Sequence, residues 1–196
     1  MTQTRGPWRI EASRTVYANP WLSLVEHEVI RPDGQPGSYG VVGFANRAIA
    51  ILPVFENGDI MLVGQHRFPQ DRYSWEIPEG GAPLDENPLA GARRELKEET
   101  GLTATHWREI LAMDLSNSVT DEEAVGFLAT GLSEGEADPD GTEDLRTRRI
   151  AFRAALDEAM SGAISDALTV AMLLRAYYMA KEGELDMGLA AAMLQE

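Results

Sequence analysis

The stretch that decides the fold runs from Glu79 to Leu102 and reads EGGAPLDENPLAGARRELKEETGL. Its second half predicts one helix, because Asn87 is a good N-cap, Pro88 suits the first helical position, and Gly101 suits the residue after a helix. Six acidic side chains crowd the stretch. They form either a solvated, charged surface or a site that holds a cation, and the rest of the sequence helps to decide between these two readings.

The predicted helix has an acidic face and an apolar face. At about 100° per residue, Glu95, Glu98 and Glu99 lie within about 100° of one another, and Arg94 stands beside them where it can pair with one carboxylate. Like charges one turn apart destabilise a helix by a few tenths of a kcal/mol each, which weighs against a merely solvated surface. The neighbouring apolar face, suited to packing against a sheet, consists of Leu89, Ala92 and Leu96.

Composition limits the classes of protein that this sequence can form. The chain has 196 residues, of which 44% are hydrophobic and 25% are charged, as in a soluble globular domain with room for a small appended unit. It has no cysteine, which excludes disulfides and thiolate metal sites. Its net charge of -15 repels the phosphate backbone of nucleic acids. No run approaches the ~18 apolar residues of a membrane helix, and the first residues, MTQTRGPWRI, do not form a signal peptide. We therefore expect a cytoplasmic protein.

Strands and turns are predicted for the part of the sequence that precedes the helix. Residues 1–45 read as a small β unit, because WLSLVEHEVI alternates apolar and polar residues before the turn RPDGQPG. Next, AIAILPVF and IMLVGQHRF flank Asn57-Gly58, a strong signal for a hairpin. The proline and glycines of WEIPEGGAP predict a loop.

The pattern after Gly101 predicts three more strands and two more helices. The strands are WREILAMDL, EEAVGFLATGL and RRIAF, with a polar, acidic loop over residues 131–146. The first helix is AALDEAMSG. The second is SDALTVAMLLRAYYMAKEG, capped by Ser165 or Asp166, and the tail to Glu196 allows a further short amphipathic turn or two.

The acidic helix completes a longer pattern, G-x5-E-x7-R-E-U-x-E-E-x-G-U, in which U is apolar. Every fixed position is filled, by Gly80, Glu86, Arg94, Glu95, Leu96, Glu98, Glu99, Gly101 and Leu102. In this pattern the chain resembles the Nudix hydrolase family. The resemblance implies an α/β class of fold, an α/β/α sandwich with a mixed sheet, over residues 46–196. Beyond the pattern, the resemblance is to the ADP-ribose pyrophosphatase-like branch, in which an N-terminal β unit, here residues 1–45, helps to form a homodimer and shares in the substrate site.

The resemblance also implies a metal-dependent reaction, in which Mg²⁺ or Mn²⁺ and water cleave a diphosphate. Hard divalent cations prefer oxygen ligands, which a cluster of carboxylates supplies. By resemblance the metal ligands are Glu95, Glu98 and Glu99, joined by a backbone carbonyl from the loop of Glu79 and Gly80. Arg94 would orient a ligating glutamate. Supporting positions by the same resemblance are Gly80, Glu86 and Gly101, of which Glu86 is structural or an outer metal partner.

Three residues outside the helix are assigned to the substrate. VGQHRFP resembles a stretch of the ADP-ribose branch whose arginine contacts the diphosphate, which implicates Arg67, with a surface arginine as the alternative. Glu76 is placed with it at the substrate site. Trp8 has a flat face on which a nucleobase can stack, although core or dimer packing would use it equally well. Trp75, beside the pattern, is interpreted as packing.

The candidates for the general base are also glutamates. In the ADP-ribose branch a glutamate of the loop before the last strand often supplies this group or a metal contact. Glu143 fits best by position and Asp144 second, with a solvated loop as the alternative. VTDEE resembles another stretch of the branch and gives Glu122. If Glu143 has no role, the base is to be sought at Glu98 or Glu122.

Together these patterns predict hydrolysis of a nucleoside diphosphate sugar, with ADP-ribose favoured, to a nucleoside monophosphate and a sugar phosphate. Asn117 stands where members of this branch usually carry a proline, which keeps a GDP-hexose open as the substrate. Dinucleoside polyphosphates are a further alternative within the family. A non-catalytic Nudix module that senses a ligand is another, although it need not keep three repelling carboxylates. An acidic interaction protein without metal is the alternative outside the family.

Overall fold

The computed structural model describes residues 3–137 and 144–195, and the chain divides into two compact units. The first unit comprises Met1–Arg47 together with Asp114–Glu123. The second comprises Ala48–Met113 and Ala124–Glu196. The first unit is therefore built from two separate segments of the chain, whereas a single N-terminal segment was predicted from the sequence.

The first unit is a four-stranded antiparallel sheet in the order β1-β2-β3-β4. Its strands are β1 Gln3–Arg5, β2 Trp8–Ala18, β3 Leu22–Ile30 and β4 Pro36–Phe44. The segment Asp114–Glu123 is held to β4 by main-chain bonds, in which the Val42 amide donates to the Val119 carbonyl at 2.8 Å and the Asp121 amide to the Val42 carbonyl at 3.2 Å. The Asp121 carboxylate also accepts from the Phe44 amide at 2.9 Å.

In its described residues, the second unit carries two sheets and four helices. One sheet has the order β8-β5-β10-β9, with β5 and β10 parallel, and the other is antiparallel in the order β11-β6-β7. The strands are β5 Asn46–Pro53, β6 Asp59–Arg67, β7 Arg72–Glu76, β8 Glu79–Pro83, β9 Thr103–Asp114, β10 Glu123–Ser133 and β11 Arg146–Ala151. The helices are α1 Pro88–Thr100, α2 Phe152–Ser161, α3 Ala167–Lys181 and α4 Met187–Met193, with a 3-10 turn at Phe68–Gln70. The mixed α/β class predicted from the sequence is confirmed.

Helix α1 begins and ends where its caps predict. The Asn87 side chain accepts from the Leu89 amide at 2.9 Å, and Gly101 follows the helix with a φ of 70°. The predicted apolar face packs against the sheet, since Ala92 and Leu96 are fully buried in one core with Ile49, Ile51 and Phe127, and Leu89 packs against it. In α3 the cap is Asp166, whose carboxylate accepts from the Thr169 amide at 2.8 Å.

The prediction of a hairpin around Asn57-Gly58 is wrong in one respect, because the two flanking strands do not pair in one sheet. The turn itself forms, with Gly58 at a φ of 84° and its amide donating to the Phe55 carbonyl at 2.9 Å. However, β5 and β6 enter different sheets, and an isolated bridge joins Val54 to Ile60. The reason is that β5 is apolar on both faces, which suits a central strand between β8 and β10.

The loop predicted over WEIPEGGAP is also wrong. Strand β7 reaches Glu76 and β8 begins at Glu79, so that Ile77 and Pro78 alone separate the two strands. Pro78 cannot donate a main-chain hydrogen bond, but its carbonyl accepts one from the Ile51 amide at 2.9 Å. In the described part of the chain, no helix is both long and apolar enough to cross a membrane.

Candidate active site

The acidic face of α1 is turned partly into the protein. Glu99 is 4% exposed, and its Oε2 accepts from the Glu79 amide at 3.1 Å. The side chain of Glu95 is 12% exposed, whereas that of Glu98 is 39% exposed. A solvated surface would leave all three carboxylates in water, so this arrangement argues against the solvated reading for Glu95 and Glu99.

Arg94 ties this face to strand β8. Its Nη1 donates to Glu95 Oε1 at 2.8 Å and to Glu98 Oε2 at 3.0 Å, and its Nη2 donates to the Gly81 carbonyl at 2.9 Å. Glu86 lies 4.0 Å from the same Nη2. One guanidinium therefore reduces the repulsion between neighbouring carboxylates and fixes their position relative to the main chain.

Glycine at position 80 leaves the space into which the Glu95 carboxyl group fits. A Cβ atom at Gly80 would overlap the Glu95 carboxyl group. Gly80 therefore allows a carboxylate to lie against the main chain of β8. The sequence pattern does not distinguish such a glycine from one that forms a turn.

The donor chemistry of this face fits a hard divalent cation, because its side chains offer carboxylate oxygens rather than sulfur or imidazole. Among residues 3–137 and 144–195, no three acidic or histidine side chains are grouped closely enough to hold a metal ion. Arg94 lies against Glu95 and Glu98, and Glu99 is bonded to the Glu79 amide. Ligation by Glu79, Glu95, Glu98 and Glu99 therefore stays a prediction.

The side chain of Glu79 lies in a buried polar cluster. Its Oε1 accepts from the Thr169 hydroxyl at 3.1 Å, and Asp166 is a second neighbour. Burial, reinforced by the charge of Asp166, raises the pKa of the Glu79 carboxyl well above its usual range. Folding therefore favours the protonated form of this side chain, which leaves the predicted metal contact to its backbone carbonyl.

The raised pKa of Glu79 predicts a pH-dependent stability. A group whose pKa rises on folding contributes stability below its unfolded-state pKa and loses it as the pH rises through its folded-state pKa. We expect the melting temperature of the wild-type protein to fall as the pH rises above the ordinary pKa of a glutamate, and that of Glu79→Gln to fall less, because glutamine resembles the protonated acid. The control is Glu134→Gln, which removes a charge at an exposed position. Equal pH profiles for wild type and Glu79→Gln would contradict this prediction.

Arg67 forms a buried ion pair with Glu76. The Arg67 Nε lies 3.0 Å from both carboxylate oxygens, and its Nη2 contacts the same group. Glu76 is 3% exposed, while the Arg67 side chain is 36% exposed. Arg67 is thus more than a surface arginine, because Glu76 holds its guanidinium in one orientation. The contact of Arg67 or Glu76 with substrate stays a prediction.

Trp8 lines a pocket within the first unit. The pocket has a volume of about 270 Å³, and the Trp8 ring meets Tyr39 edge to face with centroids 5.3 Å apart. The Tyr39 hydroxyl donates to the Ser118 carbonyl at 2.6 Å, and Asn117 lies in the same wall. The other lining residues include Arg5, His27 and Asp121. The pocket therefore combines an aromatic wall with polar groups of both signs.

Apart from Gly101, the remaining candidates lie away from α1 in the chain. Glu143 is outside the described residues, and Asp144 is exposed. Glu122 belongs to the first unit, where burial and then the charge of Asp121 raise its pKa. Gly101 caps α1 and its main chain lies close to that of Gly135. Trp75 packs, as interpreted from the sequence, with the Arg148 guanidinium 4.6 Å from its ring centre.

Sequence reasoning gave Asp166 as a possible cap of α3 but missed that Asp166 and Thr169 are neighbours of the Glu79 side chain. Neither residue was assigned to the site. The available signal was slight: Thr169 is a polar residue among the apolar positions of the helix, between Leu168 and Met172. Such a residue is often buried for the sake of a specific hydrogen bond.

Comparison with known proteins agrees with this geometry. Residues 45–167 match the family model of the NUDIX domain, and residues 8–42 match that of the nucleoside diphosphate sugar hydrolase N-terminal domain. The chain therefore belongs to the Nudix hydrolase family, as the sequence pattern predicted.

Two relatives and one solved structure illustrate the similarity. An ADP-ribose pyrophosphatase of Bacillus subtilis (strain 168) is 32% identical over 81% of this chain and 86% of its own length. An ADP-ribose pyrophosphatase of Mycobacterium tuberculosis is 35% identical over 63% of this chain, and the match spans only 59% of that protein. The crystal structure of an ADP compounds hydrolase superposes with a TM-score of 0.79 at 18% identity, covering 90% of this chain and 96% of the other, which supports the fold.

Proposed function

We propose that this protein hydrolyses the diphosphate bond of a nucleoside diphosphate sugar, ADP-ribose first, with Mg²⁺ or Mn²⁺ as the cofactor. The observation that carries the proposal is the acidic face of α1, where Arg94 pairs with Glu95 and Glu98 and the Glu79 amide of β8 donates to Glu99. The B. subtilis relative, named an ADP-ribose pyrophosphatase, supports the choice of substrate.

In this proposal the carboxylates of α1 would bind the divalent cation and orient it toward the diphosphate. A bound divalent cation would neutralise phosphate charge and lower the pKa of a water molecule. Glu95, Glu98 and Glu99 supply its oxygen ligands, and Arg94 keeps Glu95 and Glu98 in place. Water adds to one phosphorus, the bond to the bridging oxygen breaks, and the products are a nucleoside monophosphate and a sugar phosphate. Glu143 is proposed to accept the proton of the attacking water.

Arg67 is proposed to bind the diphosphate. The ion pair with Glu76 uses donors on Nε and Nη2, and a guanidinium has five N–H donors in total. A guanidinium fixed in this way can offer the rest to phosphate oxygens without losing further side-chain freedom. Because the protein has a net charge of -15, such a local cation is needed to attract an anionic substrate.

The pocket of the first unit is proposed to hold the nucleobase. Trp8 and Tyr39 provide the aromatic wall, and Arg5, His27 and Asp121 provide groups that can read the edge of a base. Asn117 lies in the same wall, and its side-chain amide both donates and accepts. Asn117 keeps a GDP-hexose open as the second candidate substrate. A homodimer and a cytoplasmic location are proposed from family resemblance.

A panel of substrates tests the proposed function. ADP-ribose, a GDP-hexose and a dinucleoside polyphosphate would each be incubated with the protein and Mg²⁺ or Mn²⁺ and then with a phosphatase. Hydrolysis of a nucleoside triphosphate would be measured directly, because phosphatase attacks it without prior cleavage. We expect phosphate to be released from a nucleotide sugar only after both enzymes have acted, because phosphatase requires the monoesters that hydrolysis produces. Faster cleavage of the triphosphate would overturn the substrate class, and cleavage of none would overturn the activity.

The aromatic wall gives a prediction about Trp8. We expect Trp8→Ala to raise KM for the best nucleotide sugar by about 10-fold, since base stacking is worth ~1–3 kcal/mol. kcat should change little, because stacking is similar in the ground and transition states. Trp21→Ala is the comparison, since Trp21 is 67% exposed at the turn between β2 and β3. A raised KM in Trp21→Ala alone would indicate that the base binds at that turn and not in the pocket.

A further inference from the structure

A threonine of helix α3 holds the connection between β7 and β8. Thr169 is fully buried and lies beyond residues 45–167, which the family model matches. Its hydroxyl accepts a hydrogen bond from the Ile77 amide at 3.0 Å and donates one to Glu79 Oε1 at 3.1 Å. One oxygen atom thus fixes the chain on both sides of Pro78.

This connection leads directly to the acidic face of α1. The Glu79 amide donates to Glu99 Oε2 at 3.1 Å, and the Pro78 carbonyl accepts from the Ile51 amide at 2.9 Å. The position of Thr169 is itself fixed, because the Asp166 carboxylate accepts from its amide at 2.8 Å. A continuous set of hydrogen bonds therefore runs from the first turn of α3, through Thr169 and Glu79, to the carboxylate of Glu99.

The hydroxyl of Thr169 is needed for these bonds and for little else. Valine has nearly the same shape and would fill the same buried space, but it would leave the Ile77 amide and the Glu79 carboxyl without their partner. A buried amide and carboxyl in that state would move toward other partners or toward water. The start of β8 would then shift, together with the amide that holds Glu99.

We propose that Thr169 is a positioning residue for metal binding, which acts through Ile77 and Glu79 to hold Glu99 in the orientation that a divalent cation requires. The inference rests on the proposed function insofar as Glu99 is a metal ligand. Partners of metal-binding side chains commonly change metal affinity by about 10-fold to 100-fold when they are removed.

The test compares Thr169→Val with Thr169→Ser, which keeps the hydroxyl, and with Ser165→Ala, a control at the start of the same helix whose hydroxyl contacts Arg72. Binding of Mn²⁺ alone would be measured by titration calorimetry, and amide hydrogen exchange would be measured over residues 76–80. We expect Thr169→Val to weaken Mn²⁺ binding by about 10-fold and to speed exchange at Ile77 and Glu79. Thr169→Ser and Ser165→Ala should behave as wild type in both measurements.

Kinetics supply a third measurement. At one fixed, low Mn²⁺ concentration Thr169→Val should lower kcat for a nucleotide sugar, and excess Mn²⁺ should restore most of it, with KM for the sugar nearly unchanged. If the valine variant does not fold, Thr169→Ala, which also removes the hydroxyl, replaces it with the same expectations.

The outcomes separate this inference from the proposed function. Wild-type Mn²⁺ affinity and exchange in Thr169→Val, or weakened binding in Ser165→Ala as well, would overturn the role of Thr169. Wild-type protein that binds no Mn²⁺ would overturn it too. If wild type binds Mn²⁺ but cleaves no nucleotide sugar, the proposed function fails, while the calorimetry and exchange still decide the role of Thr169.

Discussion

Turnover should fall to background when Glu98 is replaced by glutamine, and the protein should remain folded. Glutamine keeps the size of the side chain but removes the charge on which a hard cation depends. The cost to stability should be small, because the pair of Glu98 with Arg94 is partly exposed and such pairs contribute at most about 1 kcal/mol. Hydrolysis of the best nucleotide sugar and thermal melting would be measured together.

Asp157→Asn is a matched control for this experiment. Asp157 forms a pair with Arg153 at the same i,i+4 spacing on helix α2, and its side chain is also exposed. We expect it to keep wild-type activity and a similar melting temperature. Glu99→Gln should lose activity as Glu98→Gln does, and excess EDTA should stop the wild-type enzyme. Near-normal kcat in both glutamine variants, or full activity in EDTA, would contradict the metal site.

The second large effect is expected at Glu143, which lies outside the described residues. If this glutamate accepts the proton of the attacking water, Glu143→Gln should lower kcat by ~10²-fold or more, with a smaller change in KM. The amide cannot take up that proton, whereas substrate binding does not require it.

Asp144→Asn distinguishes a specific base from a loop that is merely acidic. Asp144 is the adjacent carboxylate and is exposed, so its replacement removes the same charge from the same loop. We expect it to leave kcat nearly unchanged. A loss of kcat in Asp144→Asn alone would transfer the role to Asp144. Wild-type behaviour of both variants would direct the search for the base to Glu98 or Glu122.

Helix α1 was predictable because its determinants are local. Asn87, Pro88 and Gly101 mark its ends within the sequence, and the spacing of Ala92 and Leu96 marks its buried face. Strand pairing is not local, which is why the turn at Asn57-Gly58 was correct and the pairing of its flanking strands was not. Strand β8 was missed because its glycines were read as turn residues, whereas Gly80 permits the approach of Glu95.

The candidate site shows the same division between local and distant contacts. Arg94 and the three glutamates of α1 are near in sequence, so their proximity follows from one helix. The partner of Glu79 comes from α3, where Thr169 is separated from it by 90 positions. The ion pair between Arg67 and Glu76 requires the pairing of β6 with β7. Neither contact leaves a periodic pattern, so only the three-dimensional structure reveals it.

The two-segment build of the first unit limits how its parts can be exchanged during evolution or engineering. The amides of Val42 and Asp121 join β4 to the segment Asp114–Glu123, as does the Asp121 carboxylate. A chimera that took residues 1–47 from a relative and kept its own Asp114–Glu123 would therefore pair a foreign β4 with the original segment. The pocket around Trp8 draws its wall from both segments. To transfer a relative's preference for a nucleobase, both segments should accordingly be grafted together. Grafting either segment alone should give a protein whose pocket is lined by mismatched residues.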